Sequence, residues 1–304
     1  MDETTRQLSS IRTDRSGIAV RFLGSIVIAL FALCCLLPFV LVLATSLTSE
    51  ASIKRSGFNF WPREFSTFAY KIVFENTDMI VGAYAVTICL TVVGMAIGLF
   101  LVAMTGYALQ RPDFGYRNSI SFFIYFTTLF TGGLVPFYLL MTKYLSLKDN
   151  YLAVLLPGLL SPFLIIMMKS FVRSIPHAIT ESAKIDGAGD FTIFVKLILP
   201  MTTPALATIG LFIALGYWNE WYNSMLFLSA DMKYRPLQLA LYNVITSADY
   251  VRNSAAASNV PLRDVPLESM KMATAVVATG PVILFYPFIQ RYFIKGITVG
   301  AVKG

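Results

Sequence analysis

The sequence predicts an all-α integral membrane protein with six transmembrane helices. Hydrophobic residues make up 56% of the 304 positions, charged residues only 13%, and the mean hydropathy is +0.68. A soluble domain carries about a quarter charged residues and cannot bury so large an apolar fraction. The apolar residues also fall into six long runs, and each run is long enough to cross a bilayer as a helix.

A helix needs about 20 residues to cross roughly 30 Å of hydrocarbon. Six runs meet this length, at approximately 22–47, 80–108, 118–142, 151–172, 203–228 and 269–290. They predict a transmembrane domain over residues 22–292, between tails at 1–21 and 293–304. The first run follows several arginines but far exceeds the apolar part of a cleavable signal peptide, which is about 7–15 residues. We therefore expect it to remain as the first helix.

Small residues and a proline interrupt the second and third runs. Gly94 and Gly98 form a pair four residues apart, which allows two helices to approach closely. Gly132 and Gly133, followed by Pro136, predict a break in the third helix. Two interpretations remain open, namely ordinary helix packing and a kinked helix that lines a transport pathway.

The composition argues against several classes of protein. Cys34, Cys35 and Cys89 lie inside apolar runs and His177 is the only histidine, so neither a metal site nor a redox site is predicted. The net charge of +7 is scattered without a basic stripe, which argues against nucleic-acid binding. No phosphate-binding glycine motif and no nucleophile–base constellation is present. We therefore expect a non-catalytic chain that cannot hydrolyse ATP by itself.

Three longer polar stretches separate the apolar runs, at about 48–79, 173–202 and 229–268. An even number of helices places both termini on one side of the membrane. Lysine and arginine divide almost equally between the two sides, and long loops contribute little to the positive-inside rule. The arginines before the first run favour a cytoplasmic N-terminus, but the charges alone do not fix the orientation.

The middle stretch reads RSIPHAITESAKIDGAGDFTIFVKLILPMTTP over residues 173–204. Good helix formers from Ala178 to Asp186 predict a short helix. Gly187 is placed to end it in a left-handed backbone conformation, which other residues adopt only at a cost. Asp190 is expected to cap a second helix, which continues until Pro200. Such a short, weakly polar unit cannot span a membrane, but it is able to enter a groove on another protein.

These residues resemble the EAA loop of ABC-importer permeases. That pattern is EAA, three residues, G, nine residues, then an aliphatic residue, any residue and LP. The chain has it as Glu181-Ser182-Ala183, Gly187, Leu197 and Leu199-Pro200, with Ser182 and Leu197 as conservative departures. The coupling residues that the resemblance implies are Glu181, Ser182, Ala183, Asp186, Gly187 and Pro200.

The resemblance implies that this loop, about 173–202, is a cytoplasmic coupling helix between transmembrane helices four and five. It would dock into a cleft of a dimeric ATPase partner, which binds ATP and Mg²⁺, and Glu181 would meet a basic group there. A second homologous permease and an extracytoplasmic sugar-binding protein would complete the importer. The chain would then be a multi-pass protein of the bacterial inner membrane with both termini in the cytoplasm.

Further motifs are similar to those of maltose-type carbohydrate permeases, in the branch for larger or modified oligosaccharides. They are GGLVPFYLL at 132–140, GYWNEWYNS at 216–224, RPLQLAL at 235–241 and QRYFIKGITVGAVKG at 290–304. The alternatives are a permease for a non-sugar solute and, less favoured, an ion-coupled secondary transporter. The second alternative needs intramembrane ionisable groups, and Glu220 is the sole obvious acid within an apolar run.

The fifth run carries a polar and aromatic cluster that predicts a sugar pathway or its outer gate. Sugars are bound by aromatic rings and planar polar groups, and an acid at membrane depth faces protein or a water-filled cavity. The candidate pathway residues are Tyr217, Trp218, Asn219, Glu220 and Trp221. The alternative is an interfacial aromatic belt with a structurally paired glutamate. Basic residues in the stretches 48–79 and 229–268 favour an acidic oligosaccharide such as a uronate.

Overall fold

The computed structural model describes residues 15–75, 77–257, 266–281 and 283. Regular structure in these residues is helical, apart from one isolated bridge between Thr48 and Phe65. The all-α prediction is therefore confirmed for the part of the chain that the structure describes. These residues divide into two compact units, 15–73 with 266–276 and 74–257 with 277–283.

The first unit contains helices α1 (Arg15–Ser46), α2 (Glu50–Ser56) and α3 (Phe68–Val73). Helix α1 is apolar on all sides, and its described side chains are mostly exposed as far as Leu43. A helix that is hydrophobic on all sides has no polar face that water could solvate. Its composition therefore fits contact with lipid.

The carboxylate of Glu50, at the start of α2, bonds to a helix that begins at residue 267. It accepts hydrogen bonds at 3.1 Å from the backbone N–H groups of both Glu268 and Ser269, and at 3.2 Å from Ser269 Oγ. The first N–H groups of a helix have no partner within the helix, so an acceptor at this place satisfies them. Glu50 thus caps a helix that lies more than 200 residues further along the chain.

The second unit is a bundle around the long helix α4. Its helices are α4 (Thr77–Gln110), α5 (Arg117–Leu129), α6 (Leu134–Leu139), α7 (Leu152–Gly158), α8 (Pro162–Arg173), α9 (His177–Ile185), α10 (Asp190–Ile193), α11 (Leu199–Met201), α12 (Thr203–Trp218), α13 (Tyr222–Phe227) and α14 (Leu237–Ala257), with π-helical turns at Leu140–Tyr144 and Phe194–Ile198. Helix α4 packs against α8 and α12. Val102, Met168 and Ile209 from these three helices are completely buried.

Two described helices are long and apolar enough to cross a membrane, Val20–Ser46 and Asp78–Gln110. Three bent pairs would bring the number to five: Arg117–Leu129 with Leu134–Tyr144, Leu152–Gly158 with Pro162–Arg173, and Asp190–Met201 with Thr203–Trp218. The predicted sixth segment, 269–290, is helical up to residue 281, and most of its remainder lies outside the described residues.

The predicted break in the third segment is confirmed. Helix α5 ends at Leu129 and α6 begins at Leu134. The chain bends by 115° between the two helices. Gly133, directly before α6, has a φ of +87°. This left-handed conformation is costly for residues with a side chain, which explains why a glycine stands there.

One predicted polar stretch contains a long helix. Residues 229–268 were expected to be an external loop, but α14 occupies 21 of them. Leu237, Ala240 and Leu241 follow helical spacing and are buried together with Ala83 and Trp218. This spacing of apolar residues is the signal of a helix that packs along one face.

Two turns meet at one end of the second unit. Asp149 Oδ1 accepts a hydrogen bond at 2.6 Å from the backbone N–H of Ser229, and Asp149 N donates to the carbonyl of Phe227 at 2.9 Å. The bond from Ser229 lowers the pKa of the Asp149 carboxyl group below its ordinary value. The turn before α7 and the turn after α13 therefore lie at the same end.

Candidate functional site

The stretch that resembles the EAA loop, about residues 173–202, contains a sharp turn between α9 and α10. We call this turn, with the helical segments on either side of it, the elbow. Helix α9 ends at Ile185, and Gly187 has a φ of +80°. Its N–H donates to the carbonyl of Lys184 at 3.0 Å, and the N–H of Ala188 donates to that of Ala183 at 2.9 Å. These bonds satisfy carbonyls at the end of the helix, as in glycine-terminated helices generally. The predicted left-handed turn at Gly187 is confirmed.

The expected cap of the second helix is wrong in its residue. Gly189 occupies the capping position, Asp190 is the first residue of α10, and no side chain caps this end. The Asp190 carboxylate instead accepts a hydrogen bond from Arg111 Nη1 at 2.7 Å. A strong cation within reach has drawn the carboxylate away from the helix N–H groups.

The outer face of the elbow is available for contact. Ser182, Asp186 and Gly187 are exposed, and Ile185 is 86% exposed, although it is a large apolar residue. Glu181 is also exposed, and its Oε1 lies 3.6 Å from His177 Nδ1, one helical turn away. The predicted coupling residues therefore gather on one short surface. Two differ from the rest, since Ala183 is half-buried and Pro200 lies apart at the start of α11.

Four charged residues form a closed ring behind the elbow. Arg111 contacts Asp113, with Nε to Oδ1 at 2.9 Å, and Asp190, with Nη1 to Oδ1 at 2.7 Å. Lys184 Nζ lies 2.7 Å from Asp113 Oδ2 and 3.9 Å from Asp190 Oδ1. Each cation thus touches both acids, and we call Arg111, Asp113, Lys184 and Asp190 the charge ring.

The charge ring also fixes the ionisation of Asp113. Hydrogen bonds from Arg111 and then from Lys184 hold the pKa of this carboxyl group well below its ordinary value. A depressed folded-state pKa stabilises the folded protein above the ordinary pKa of aspartate, and this contribution is lost only as the pH falls through the depressed value. The ring is therefore complete at neutral pH.

An aromatic contact anchors the second arm of the elbow to α4. Phe194 is 2% exposed and stacks on Tyr107 with ring centroids 5.6 Å apart, while Phe100 meets it edge-on at 5.9 Å. The guanidinium carbon of Arg111 lies 5.8 Å from the centroid of Tyr107. An aromatic pair contributes about 0.5–1.5 kcal/mol beyond the burial of the two rings. These contacts therefore hold the arm that follows Gly187 against α4.

A cleft of about 280 Å³ opens between the elbow and the end of α4. Its lining includes His177 and the charged residues Arg111, Asp113, Arg173, Glu181 and Lys184. Within the described part of the chain, no group of three or more histidine, cysteine or acidic residues is placed to hold a metal ion.

Two of the five candidate pathway residues are buried in the bundle. Tyr217 Oη donates to the carbonyl of Leu155 at 2.6 Å, and Trp218 Nε1 donates to that of Ala278 at 3.3 Å. The ring of Tyr217 lies against Gly94, where a Cβ atom would be 2.2 Å from Tyr217 Cε2. These bonds join neighbouring helices, and Tyr217 also lines a cavity together with Glu220.

Glu220 lines a separate cavity of about 370 Å³. Its two oxygens accept hydrogen bonds from Asn223, from the backbone N–H at 2.7 Å and from Nδ2 at 2.9 Å. Asn223 also lines the cavity, as do Ser161 and the exposed ring of Phe163. The wall is mostly apolar, with Ser161, Glu220 and Asn223 as polar groups and Phe163 as an exposed aromatic ring, and Asn223 is not among the pathway residues predicted from the sequence.

Asn219 and Trp221 contact α14 beside this cavity. Gln238 Nε2 donates to Asn219 Oδ1 at 3.4 Å, and Trp221 stacks on Tyr242 with centroids 4.9 Å apart. Trp221 and Tyr242 are 38% and 39% exposed, so both rings keep accessible surface. Helix α14 therefore brings two further polar or aromatic residues to the candidate pathway.

Comparison with known proteins gives a consistent group of matches. The sequence family described as "Binding-protein-dependent transport system inner membrane component" matches residues 116–299. The chain is 40% identical to the polygalacturonan/rhamnogalacturonan transport system permease protein YtcP of Bacillus subtilis (strain 168), over 90% of this chain and 95% of that protein. It is 37% identical to protein LplC of the same organism, over 88% and 90% of the two chains.

A solved structure shares the fold. It is a chain of a bacterial ABC transporter involved in the import of the acidic polysaccharide alginate. The TM-score is 0.78 at 32% sequence identity, and the match covers 92% of this chain and 98% of that chain.

Proposed function

The chain belongs to the family of binding-protein-dependent transport system inner membrane components, and from that premise we propose that it is the permease subunit of an ATP-driven importer for an acidic oligosaccharide. It has no catalytic role in this scheme. A partner ATPase dimer binds ATP and Mg²⁺, a second permease supplies the other half of the pathway, and a binding protein delivers the sugar.

The elbow is the observation that carries this proposal. A nine-residue helix cannot cross a bilayer, yet it exposes the carboxylate of Glu181 and the apolar side chain of Ile185. An exposed apolar residue beside an exposed charge fits a docking surface on another protein. In this assignment Glu181 meets a basic group of the ATPase, and Gly187 sets the angle at which α9 is presented.

The orientation follows from this assignment. If the elbow faces the cytoplasm, then the end of α4 that meets it, at Arg111 and Asp113, faces the cytoplasm as well. The chain crosses the membrane once between this end and the turns at Asp149 and Ser229, so these turns face outward. Both termini are then cytoplasmic, and the 22–292 domain crosses the inner membrane.

The acidic nature of the substrate is supported by two of the similar proteins, which are named for polygalacturonan/rhamnogalacturonan transport and for alginate import. The predicted outward stretches carry basic residues, and the exposed cations Lys54, Arg55 and Arg63 lie in the first of them. A basic approach surface raises the local concentration of an anionic ligand. In the second unit, Glu220 and Asn223 offer acceptors and donors for sugar hydroxyls.

The first expected result concerns energy coupling and substrate class. In proteoliposomes containing both permeases, the ATPase and the binding protein, labelled trigalacturonate should accumulate only with hydrolysable ATP and should ignore a protonophore. Maltotriose, which is neutral, serves as the control sugar. Accumulation driven by an ion gradient without ATP would eliminate the permease assignment, whereas ATP-driven uptake of maltotriose alone would eliminate only the acidic substrate.

The second expected result concerns the pathway. Glu220→Gln leaves one acceptor oxygen for the two donors of Asn223, and Trp221→Ala removes the stacking partner of Tyr242. We expect Glu220→Gln to lower the trigalacturonate uptake rate by about tenfold or more, because a hydrogen bond to a charged group is worth about 1.5–3 kcal/mol. Trp221→Ala should lower the rate by about two- to tenfold, because an aromatic pair is worth about 0.5–1.5 kcal/mol. Tyr116→Ala, which removes an exposed ring at the opposite end, should leave uptake unchanged. Unaltered rate and selectivity in both variants would exclude these residues from the pathway.

A further inference from the structure

The charge ring joins residues from both sides of the hinge at Gly187. Lys184 lies on α9 before the glycine, and Asp190 lies on α10 after it. Arg111 and Asp113 follow the last turn of α4 and contact both of them. A glycine has the widest backbone freedom of any residue, so a push on α9 would bend the elbow unless other contacts prevented it.

The two arms of the elbow are attached to α4 in different ways. The arm after Gly187 is held by Phe194, which is buried against Tyr107 and Phe100 of α4. No side chain of α9 is fully buried, although the half-buried Ala183 packs against the hydrophobic core, and the ionic contact of α9 with the end of α4 is the bond from Lys184 to Asp113. The first arm is therefore held by this ion pair and by light apolar packing, whereas the second arm is held by buried aromatic rings.

Helix α4 reaches the other end of the unit in one continuous piece. Near its start, Thr87 Oγ1 accepts a hydrogen bond at 2.8 Å from the backbone N–H of Leu237, the first residue of α14. Tyr84 Oη donates to the carbonyl of Val277 at 2.6 Å. Displacement of α4 is thus transmitted to α14, which carries the Gln238 and Tyr242 contacts beside Glu220.

We propose that the charge ring is a clamp that locks the Gly187 hinge, so that α9 and α4 move as one body and force on α9 reaches α14. The four residues are positioning residues, and this inference rests on the proposed function, since the force on α9 comes from the ATPase. The ring acts by preventing bending, not by binding the partner. Its loss should therefore separate ATP hydrolysis from sugar movement and leave the assembly intact.

The test compares variants of the charge ring with a matched control in the reconstituted complex. Lys184→Gln removes the clamp from an exposed position, and Lys184→Arg retains the charge and the reach to Asp113. Lys196→Gln is the matched control, because Lys196 is an exposed cation on the same elbow outside the ring. The readouts are the ATPase that co-purifies, the stimulation of hydrolysis by the loaded binding protein, and trigalacturonate taken up per ATP.

Lys184→Gln should retain the ATPase and its stimulation, while uptake per ATP falls by about 5- to 150-fold, the usual range of an allosteric coupling factor. Lys184→Arg and Lys196→Gln should match the wild type. Asp113→Asn should also lower uptake per ATP, because it weakens the same bond from Lys184 and, in addition, the contact with Arg111. The double variant should lose less than the two single effects combined, because both changes break the bond between Lys184 and Asp113.

Unchanged uptake per ATP in Lys184→Gln and Asp113→Asn would overturn the clamp. So would loss of the ATPase from Lys184→Gln, because Lys184 would then be a docking residue. Failure of the proposed function is distinct from both results, since it would appear in the wild-type complex as uptake without ATP or as no retention of the ATPase.

Discussion

Replacing Gly187 with valine is expected to lower ATP-driven uptake by at least about thirtyfold, while a matched change two residues away has no effect. Gly187 has a φ of +80°, a conformation that costs an ordinary L-residue about 1–2 kcal/mol and a β-branched residue more. The elbow can relieve this strain only by leaving the shape that presents α9 to the ATPase. A free-energy difference of about 2 kcal/mol reduces the competent population roughly thirtyfold.

A graded series at this position separates backbone strain from the size of the side chain. A Cβ atom at Gly187 meets nothing within 4 Å, so steric overlap does not contribute. Asparagine tolerates the left-handed region better than alanine, and alanine better than valine, so uptake should fall in that order.

Gly189 provides the control for the series. It also has open space around a Cβ atom, but its φ is −69°, which any residue adopts. Alanine and valine at position 189 should therefore retain uptake. Equal activity of the asparagine and valine variants at position 187 would show that the left-handed turn has no part in coupling.

Valine at Gly94 is expected to prevent the second unit from reaching its folded state. A Cβ atom there would lie 2.2 Å from the ring of Tyr217, which is 5% exposed and is held by its hydrogen bond to the carbonyl of Leu155. Gly158 closes the other side, with a Cβ position 2.8 Å from Tyr217 Oη. Overpacking a tight core costs about 1–3 kcal/mol, and displacing the ring also breaks the bond from Tyr217 to Leu155, which is worth about 1 kcal/mol more.

The measurement is the yield of monodisperse protein in detergent and its thermal unfolding temperature. Gly94→Ala should unfold at a lower temperature than the wild type, and Gly94→Val should give little folded protein. Gly216→Ala is the control, because Gly216 precedes Tyr217 on the same helix but has no atom within 4 Å of its Cβ position. Wild-type stability of Gly94→Val would mean that Tyr217 does not occupy this site.

Much of the fold follows from apolar runs and backbone chemistry, because both are local properties of a sequence. The long helices α1 and α4, the break at Gly133 and the turn at Gly187 are all of this kind. Helix α14 was missed because its polar composition outweighed a short stretch of helical spacing between Leu237 and Leu241.

The candidate site was less predictable, since its contacts join distant parts of the chain. The bond between Lys184 and Asp113 spans 71 residues, Lys184 stands at an unspecified position of the EAA pattern, and Asp113 belongs to no motif. Asp190 has the residue type of a helix cap, but Gly189 occupies the capping position, and the contact between Asp190 and Arg111 could not be predicted from the sequence. The burial of Tyr217 and Trp218, and their hydrogen bonds to Leu155 and Ala278, could not be predicted from their residue types.

The cap that Glu50 provides has a consequence for the biogenesis of the protein. Its partners at Glu268 and Ser269 are 218 and 219 residues further on, so they leave the ribosome long after α2 has been made. Contacts between positions so far apart in the sequence form late in folding, because the intervening chain must first be ordered. Until translation passes this point, the carboxylate lacks these partners, and a prematurely terminated chain would display an incomplete fold to the quality-control proteases of the cell.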